Sequence, residues 1–435
     1  MRVLIRRWDG SDAIALAAEL RATAGDPAEI SSDVAAVIEQ VRREGDAALL
    51  DLSERHDGAR PAELWIVRSE LEEAAESLEP SLREALEAAA ANIRAVAEAQ
   101  LDPEPKVVEL PQGHEVVIRQ VPVDKAVIYA PGGRAAYPSS VLMGVIPARS
   151  AGVRRVAVAS PPQEGGRPHE VVLAAAGIAG ADSVLAVGGA QAIAAVAYGT
   201  ESVLQADVIA GPGGPWVQEA KLQVSRQVGI DGYAGPSELL VVCDGSANAD
   251  WLALDLCAQA EHGADSPLVV TSPDAAFLAA IEAAIERLAP EHPSVADAAV
   301  DLIELPSLDA AVELSQAYAP EHLEIACEGA GELAGRITTA GAVFAGPFGA
   351  TAFGDYAAGS NHTLPTGGAG RFMGPLSPAT FMRGISEVRL DAASAAALAP
   401  AVDEIARSEG FPVHGASALA RGHGPGASGP PEQAS

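Results

Sequence analysis

The pattern of apolar positions divides the chain near residue 115. The first hundred residues carry a helical pattern, in which Ser69–Glu72 (SELE) has the spacing of a capping box. A long segment rich in Ala, Leu and Glu follows to about Leu101 and is interrupted at Pro80. Residues 1–114 are therefore expected to form an N-terminal helical segment.

Short β-branched runs replace this pattern after residue 115, with helical stretches between them. The runs of the first series are EVVIRQV (115–121), KAVIYA (125–130), RRVAVAS (154–160), DSVLAVG (182–188) and DVIAG (207–211), with helices expected at 139–150, 168–178, 189–198 and 215–228. A second series comprises ELLVVC (238–243), PLVVT (267–271), DLIEL (301–305) and GAVFAG (341–346). Apolar strands that alternate with helices are typical of a parallel sheet covered on both faces.

The predicted fold class is therefore α/β, with two Rossmann-like parallel-sheet units. The first unit is expected over residues 115–235 and the second over residues 236–380. A last helix, at about 391–409, lies in a predicted C-terminal helical tail over residues 381–421. Residues 422–435 are rich in Gly, Pro and Ser and are expected to be disordered.

Composition narrows the possible partners of the chain. It has 59 acidic against 28 basic residues, and the net charge of −31 disfavours binding to nucleic acid or to an anionic membrane surface. Every apolar run is interrupted by Gly, Pro or charged residues, so no membrane span is expected. The three cysteines form no C-x-x-C pair, and the first ten residues lack the apolar core of a signal peptide, which together favour the cytoplasm.

Ligands of open α/β sheets bind in the crevice beyond the carboxyl ends of the strands. Polar, Gly-rich segments follow predicted strands at 129–140, 187–191, 209–216, 233–238 and 353–362. No P-loop, complete dinucleotide fingerprint or H-E-x-x-H motif accompanies them. By themselves these loops indicate a binding cleft and no particular ligand.

Two short segments carry candidate chemistry. If Leu254–Asp265 (LDLCAQAEHGAD) begins as a helix, Gln259 and His262 lie three residues apart on one face, and Gly263 ends the helix. In the second segment, Pro320 is well placed to start a helix that carries Glu321 in its first turn, followed by His322. Glu321 then has the simple interpretation of a helix cap.

Further polar residues stand at predicted loop ends: Asp355, His362, Glu409 and His414. Scattered histidine, aspartate and glutamine side chains are compatible with a zinc site, but no compact ligand motif is present. Spacing alone leaves open both a metal site and a set of unrelated surface residues.

Several long motifs, in order, resemble histidinol dehydrogenase. They are YPSSVLM (137–143), VGGAQAIAAVAYGT (187–200), GIDGYAGPSELLVV (229–242), LCAQAEHGADS (256–266), APEHLEI (319–325) and FGDYAAGSNHTLPT (353–366). The resemblance extends from the N-terminal helices to about Arg421. It implies a homodimer with swapped C-terminal tails, one Zn²⁺ per subunit, and NAD⁺ as the oxidant of L-histidinol.

The resemblance also implies a role for each candidate residue. It makes Glu321 and His322 the catalytic pair, and it makes Gln259, His262, Asp355 and His414 the zinc ligands. It assigns contacts with the substrate to Ser237, Gln259, His262, His322, Asp355, His362, Glu409 and His414. Glu409 and His414 are expected to come from the partner subunit. The resemblance also implies that Tyr129, Gln191 and Gly214 contact the nucleotide.

The implied reaction is a four-electron oxidation of L-histidinol to L-histidine through L-histidinal. His322 is expected to act as base in both oxidations and Glu321 to activate water. Gly214 departs from the family, which usually has Asn in this loop, so one nucleotide contact is in doubt. Two alternatives are a relative that oxidises another small alcohol, and a solute- or metal-binding protein with two α/β lobes.

Overall fold

Two six-stranded sheets and one three-stranded sheet form the framework of the part of the chain that the computed structural model describes, which is residues 1–21, 30–102, 104–132 and 135–422. The larger of two compact units contains Met1–Gln100 and Val123–Phe381. The smaller contains Leu101–Pro122 and the chain from Met382. The tail predicted to be disordered, except Gly422, and residues 133 and 134 of the predicted loop at 129–140 lie outside the described residues.

The first sheet contains β2 (Trp65–Val67), β5 (Lys125–Tyr129), β6 (Arg155–Ala159), β7 (Ser183–Leu185), β8 (Val208–Ala210) and β9 (Gly229–Ile230). Its strand order is β2-β7-β6-β5-β8-β9, and every pair is parallel except β2 with β7. The chain runs from β5 outward to β7 and then returns to place β8 on the other side of β5. The order therefore reverses between β5 and β8, which creates a crevice at their carboxyl ends.

Among the described residues of the larger unit, eight helices accompany this sheet: α2 (Ser31–Glu44), α3 (Asp46–His56), α4 (Arg68–Glu76), α5 (Pro80–Ala99), α6 (Pro138–Ser150), α7 (Glu170–Ala179), α8 (Gly189–Tyr198) and α9 (Pro215–Val224). An apolar core joins β5 and β8 to α2, α3, α8 and α9. The core consists mainly of Ala, Val, Leu and Ile, as the low aromatic content of 4% requires. Small side chains allow the helices to lie close to the sheet.

The second sheet is parallel throughout. Its strands are β1 (Arg2–Arg7), β10 (Leu239–Cys243), β11 (Leu268–Ser272), β12 (Ala299–Glu304), β13 (His322–Ala326) and β14 (Ala342–Ala345), in the order β1-β12-β11-β10-β13-β14. Helices α10 (Ala249–Ala260) and α11 (Ala275–Leu288) cover one face, and α1 (Ala13–Arg21), α12 (Leu308–Tyr318) and α13 (Ala330–Ala334) cover the other. The remaining helix of this region, α14 (Thr351–Tyr356), follows β14.

Each helix that follows a strand runs back along the sheet. The carboxyl ends of α10 and α12 therefore lie at the edge where the strands begin. Glu238 directly precedes β10 at this edge, and its carbonyl accepts a hydrogen bond from the first N–H of β13, at His322, over 3.2 Å. The amino edge of the second sheet is thus the place where polar residues from several elements meet.

The smaller unit contains β3 (Lys106–Glu109), β4 (Glu115–Pro122), β15 (Met382–Arg389), α15 (Ala392–Ser408) and α16 (Pro412–Gly422). The three strands form an antiparallel sheet in the order β15-β4-β3. The sequence placed β4 in the first parallel series, and this prediction is wrong. Only Val117 of β4 is buried, which distinguishes this strand from the apolar strands of the parallel sheets.

The α/β class with two parallel-sheet units and C-terminal helices is confirmed. The predicted helical pattern of the first hundred residues is wrong at β1 and β2, since β1 pairs with β12 and β2 with β7. The predicted helix start at Pro320 is also wrong, because β13 begins at His322. The capping box is shifted: α4 begins at Arg68, and the Glu70 carboxylate accepts the N–H of Val67 over 3.2 Å.

Candidate active site

Glu321, Ser237 and Gln259 form a hydrogen-bonded chain at the amino edge of the second sheet. Ser237 Oγ donates to Glu321 Oε2 over 2.6 Å and accepts from Gln259 Nε2 over 2.6 Å. The N–H of Glu238 donates to the same Glu321 oxygen over 2.8 Å. Burial raises the pKa of Glu321 to about 7, although His322 and Ser237 oppose the rise. The carboxyl group is therefore poised to gain or lose a proton near neutral pH.

His322 lies between two carboxylates. Its Nε2 is 3.3 Å from Asp355 Oδ1, and its Nδ1 is 3.5 Å from Glu321 Oε2 and 3.1 Å from the carbonyl oxygen of Glu238. Burial alone would lower the pKa of His322, but Glu321 and Asp355 raise it to about 9. Burial favours a higher pKa for Asp355, but the contact with His322 outweighs burial and lowers the pKa overall. The imidazole and Asp355 stabilise each other's charged forms.

Two further histidines face this cluster. Burial lowers the pKa of His262, although Asp355 opposes the change, and the pKa of His362 is lowered in the same way. His362 Nε2 lies 3.3 Å from Ser140 Oγ in the first turn of α6. Neutral imidazoles beside a carboxylate are the form in which histidine binds metal ions.

The position of His262 corrects a detail of the sequence prediction. Helix α10 ends at Ala260 and not at Gly263 as predicted, so His262 lies in the turn that follows the helix. Its N–H donates to the carbonyl of Gln259 over 3.3 Å, which keeps the turn tight. Gln259 and His262 therefore still leave the end of α10 together.

The Gln259 amide marks the strongest candidate for a metal donor. Its side chain is 1% exposed, its Nε2 is used by Ser237, and its Oε1 is buried without a hydrogen-bond partner among the described residues. An unpaired buried amide oxygen is costly, and a cation would satisfy it. Together with His262 and Asp355 it gives an N,O donor set that suits zinc.

Within residues 1–21, 30–102, 104–132 and 135–422, no group of three or more His, Cys, Asp or Glu side chains is arranged so that it could hold a metal ion. The predicted set includes a glutamine and requires His414. Glu409, the C-cap of α15, and His414, in α16, belong to the smaller unit and are exposed. The His414 ring stacks on Phe411 with a centroid distance of 5.3 Å. Their role in a site remains a prediction.

The predicted nucleotide contacts lie where the strand order of the first sheet reverses. Tyr129 ends β5, and its hydroxyl accepts the N–H of Gly189 at the start of α8 over 3.0 Å. Gln191 is buried in α8, and its Nε2 lies 3.4 Å from Asp57 Oδ2. Gly214 follows β8 as the N-cap of α9. The three residues are thus placed at the crevice that such sheets use for ligands.

Four residues near these sites escaped the sequence analysis: Arg21, Asp57, Glu238 and Phe344. The Phe344 ring lies 5.9 Å from that of His322, and burial raises the pKa of Asp57 to about 6. Only Glu238 had a visible signal, as the acidic residue next to Ser237 before an apolar strand. Nothing local distinguishes Arg21 from a surface arginine.

Comparisons with known sequences and structures identify proteins to which this chain is similar. A sequence model of the family described as histidinol dehydrogenase matches residues 20–422. Histidinol dehydrogenase of Parasynechococcus marenigrum (strain WH8102) is 45% identical over 401 residues, 90% of this chain and 91% of that protein. That of Cupriavidus pinatubonensis (strain JMP 134 / LMG 1197) is 43% identical over 431 residues, 96% and 97% of the two chains.

A solved structure is similar along nearly its whole length. The crystal structure of histidinol dehydrogenase from Elizabethkingia anophelis superposes with a TM-score of 0.89 at 32% identity and covers 97% of this chain and 98% of that one. Among the helices that the structure describes, none combines the length and the apolar character that crossing a bilayer requires.

Proposed function

Because the chain belongs to the histidinol dehydrogenase family, we propose that it converts L-histidinol to L-histidine through L-histidinal at a single site, with NAD⁺ as oxidant and zinc as substrate anchor. The observation that carries this proposal is the contact of His322 with both Glu321 and Asp355, next to the unpaired amide oxygen of Gln259. A base, a water-activating carboxylate and metal donors then lie within one cluster.

The residues present fit a metal. Gln259 Oε1 has no hydrogen-bond partner in the part of the chain that the structure describes, and Asp355 supplies a carboxylate whose lowered pKa keeps it charged. A zinc ion held by Gln259, His262, Asp355 and His414 of the partner subunit would orient the imidazole and amino nitrogens of the substrate and would neutralise Asp355, whose charge otherwise helps to hold a proton on His322. Ser237, His362 and Glu409 of the partner subunit complete the proposed substrate contacts.

His322 is proposed to take the proton of the alcohol as the carbon loses a hydride. Its Nδ1 is held by the carbonyl of Glu238 at 3.1 Å, so Nε2 is the nitrogen directed towards the donor cluster. Fixing one ring nitrogen determines which nitrogen exchanges the proton. The same nitrogen would serve again in the second oxidation.

Glu321 is proposed to activate the water that attacks the aldehyde. Both of its side-chain hydrogen bonds with described residues fall on Oε2, which leaves Oε1 for a water molecule. With a pKa of about 7, the carboxylate can accept the proton of that water at neutral pH. The resulting hydrate then loses the second hydride.

The nucleotide is proposed to bind at the crevice between β5 and β8. NAD⁺ bound there would accept the hydride in each of the two oxidations. Tyr129 and Gln191 are already held, by Gly189 and Asp57, and so present fixed contacts. Gly214 offers only its backbone.

The proposed assembly is a homodimer in which C-terminal segments are exchanged. Aromatic side chains near Asp355 are exposed to an unusual degree, with Phe348 at 76%, Phe353 at 61% and Tyr356 at 64%. On the C-terminal segment Phe411 is 54% and Val413 is 76% exposed. Exposed apolar patches of this kind mark interfaces. We propose that these two sets of exposed apolar side chains pack together between two copies of the chain.

The proposal is tested by counting products. Each L-histidinol consumed by the zinc-loaded protein should yield about two NADH and one L-histidine, because the aldehyde remains at the site between the oxidations. NADH is measured by its absorbance and the products by chromatography. A yield of one NADH per substrate, with free aldehyde accumulating, would contradict the proposal.

A further inference from the structure

Ala319, directly before the proposed catalytic segment, has a backbone conformation that alanine rarely adopts. Its φ is 48° and its ψ is 66°, in the left-handed region. Ala319 ends α12, and this conformation turns the chain so that β13 can begin at His322. A residue with a Cβ is disfavoured there, so surrounding contacts must hold it.

Arg21 provides these contacts from the end of α1. Its Nη2 donates to the carbonyl oxygen of Tyr318 and to that of Ala319, the latter over 3.3 Å. The guanidinium carbon also lies 4.0 Å above the centre of the Tyr318 ring. A cation at the last carbonyls of α12 satisfies groups that the helix leaves unpaired. Arg21 thus holds both peptide groups around the left-handed turn.

Glu238 binds the other side of the same guanidinium. Its Oε1 is 3.2 Å from Arg21 Nε and its Oε2 is 3.4 Å from Nη2, and the two side chains are 4% and 19% exposed. The carboxylate also accepts the N–H of Gly367 over 3.1 Å and that of Glu321 over 3.4 Å. A buried carboxylate with these partners is fixed in position.

The backbone of Glu238 contacts both members of the proposed catalytic pair. Its N–H donates to Glu321 Oε2 over 2.8 Å. Its carbonyl oxygen lies 3.2 Å from the N–H nitrogen of His322 and 3.1 Å from its Nδ1. Any movement of Glu238 would therefore shift the carboxyl group and the imidazole together.

We propose that Arg21 and Glu238 are a positioning pair, which places Glu321 and His322 for catalysis by holding the left-handed turn at Ala319 against the start of β10. This inference rests on the catalytic roles proposed above for Glu321 and His322. Neither residue of the pair is among the proposed substrate contacts. The pair acts on the geometry of both oxidation steps, so removing it should lower turnover more than substrate binding.

In the first test Arg21 is replaced by Met, which keeps the apolar part of the side chain and removes the guanidinium group. Displacing both catalytic groups should lower kcat for the oxidation of histidinol and of histidinal about 10- to 100-fold, with KM for each changed by no more than about threefold. Glu238→Gln keeps one acceptor oxygen, so its kcat should fall less than that of Arg21→Met. If Arg21→Met does not fold, Arg21→Lys replaces it, since lysine cannot bridge Glu238 and the two carbonyls.

Arg149→Met is the matched control. Arg149 is 20% exposed, forms an ion pair with Asp182 at 2.7 Å and donates to backbone carbonyls, including that of Gly180 over 2.9 Å, in the last turn of α6. It resembles Arg21 in burial and bonding but contacts no member of the proposed site. Its kcat should stay within about twofold of wild type below the melting temperature. Equal losses of kcat in Arg21→Met and Arg149→Met would overturn the inference.

A rescue experiment separates positioning from general stability. Glycine adopts the left-handed conformation without a Cβ penalty, so Ala319→Gly should restore kcat of Arg21→Met about threefold or more. The same change should not restore Glu321→Gln or His322→Asn, in which the turn is intact. A double variant no more active than Arg21→Met would overturn the proposed route through Ala319.

Glu321→Gln and His322→Asn alone distinguish a failure of the proposed catalytic roles from a failure of the positioning pair. If both retain wild-type turnover, the catalytic roles themselves are wrong. If both are impaired and Arg21→Met and Glu238→Gln retain wild-type kcat, the catalytic roles stand and the positioning pair is wrong.

Discussion

Gly214 has open space where a side chain would lie. Its φ of −65° and ψ of 177° are extended backbone that any residue adopts. A Cβ built at Gly214 meets no atom within 4 Å, whereas one at the adjacent Gly213 would lie 2.5 Å from Val217. Gly214 is therefore a position where a side chain can be added without repacking.

Gly214→Asn should lower KM for NAD⁺ about fivefold, because one added hydrogen bond contributes about 1 kcal/mol, while kcat stays unchanged. Steady-state kinetics at saturating histidinol measure both constants. Gly214→Asp is the control, because aspartate caps α9 equally well but has no amide N–H and adds a negative charge. An unchanged KM in Gly214→Asn would show that the contact is already supplied by other groups.

The sequence predicted the placement of some site residues but not of others. The three-residue spacing of Gln259 and His262 predicted that they lie together, and the structure places them at the end of α10. The resemblance, not the spacing, named the amide as a metal donor. Arg21 and Glu238 could not be paired from the sequence, since 217 positions separate them and charged residues usually face solvent.

At the scale of elements, α10 and β13 are joined by two acidic side chains. Burial raises the pKa of Asp255 in α10 to about 6, and burial together with Asp255 raises the pKa of Glu324 in β13 well above its usual value. Glu324 is 3% exposed, and its Oε2 has no partner among the described residues. The pair therefore favours a shared proton over two charges.

This pair predicts a pH-dependent stability. Both folded-state pKa values are raised, so the native chain holds protons that the unfolded chain has already lost, and the free energy of unfolding falls as pH rises from about 4 through about 6 and beyond. Glu324→Gln removes one of the two charges. It should be more stable than wild type by on the order of 1 kcal/mol at about pH 8, and about equal near pH 4.

Melting temperatures measured by calorimetry across this pH range test the prediction. Glu328→Gln is the control, because Glu328 follows β13 at an exposed position. The difference between Glu324→Gln and wild type should grow with pH, whereas the control should follow wild type. A difference that stays constant with pH would contradict a raised pKa at Glu324.

The elements that the sequence predicted well are those whose burial is uniform. Strands β10 and β11 are buried at every position, and their apolar runs were recognised directly. Strand β13 is equally buried but begins with His322 and contains Glu324, so its polar residues concealed it. Edge strand β1 has three apolar residues flanked by arginines, and only its pairing with β12 identifies it. For such segments, tertiary contacts determine whether a strand forms.

At the scale of the whole molecule, the proposed exchange of C-terminal segments predicts how mixed dimers behave. His262→Asn and His414→Asn homodimers should each be nearly inactive, since every site lacks one proposed zinc ligand. When the two variants are unfolded together, mixed equally and refolded with zinc, half of the dimers are mixed. Each mixed dimer has one doubly altered and one intact site, so about a quarter of wild-type activity should return.

Refolding each variant alone is the control for this experiment, and zinc content measured per dimer gives a second readout. If His414 served its own subunit, every site in the mixture would carry one alteration and activity would stay at the level of the separate variants. Recovery of activity only in the mixture supports the exchange.

The pairing of β1 with β12 has a consequence for synthesis of the chain. Residues Arg2–Arg7 leave the ribosome before their partner Ala299–Glu304, which follows roughly 300 residues later, or about 15 to 60 s at ordinary elongation rates. The strands of the first sheet are complete by Ile230 and can assemble during this interval. Because β1 pairs with β12, we expect the backbone N–H and C=O groups of β1 to stay without their sheet partner until translation reaches β12.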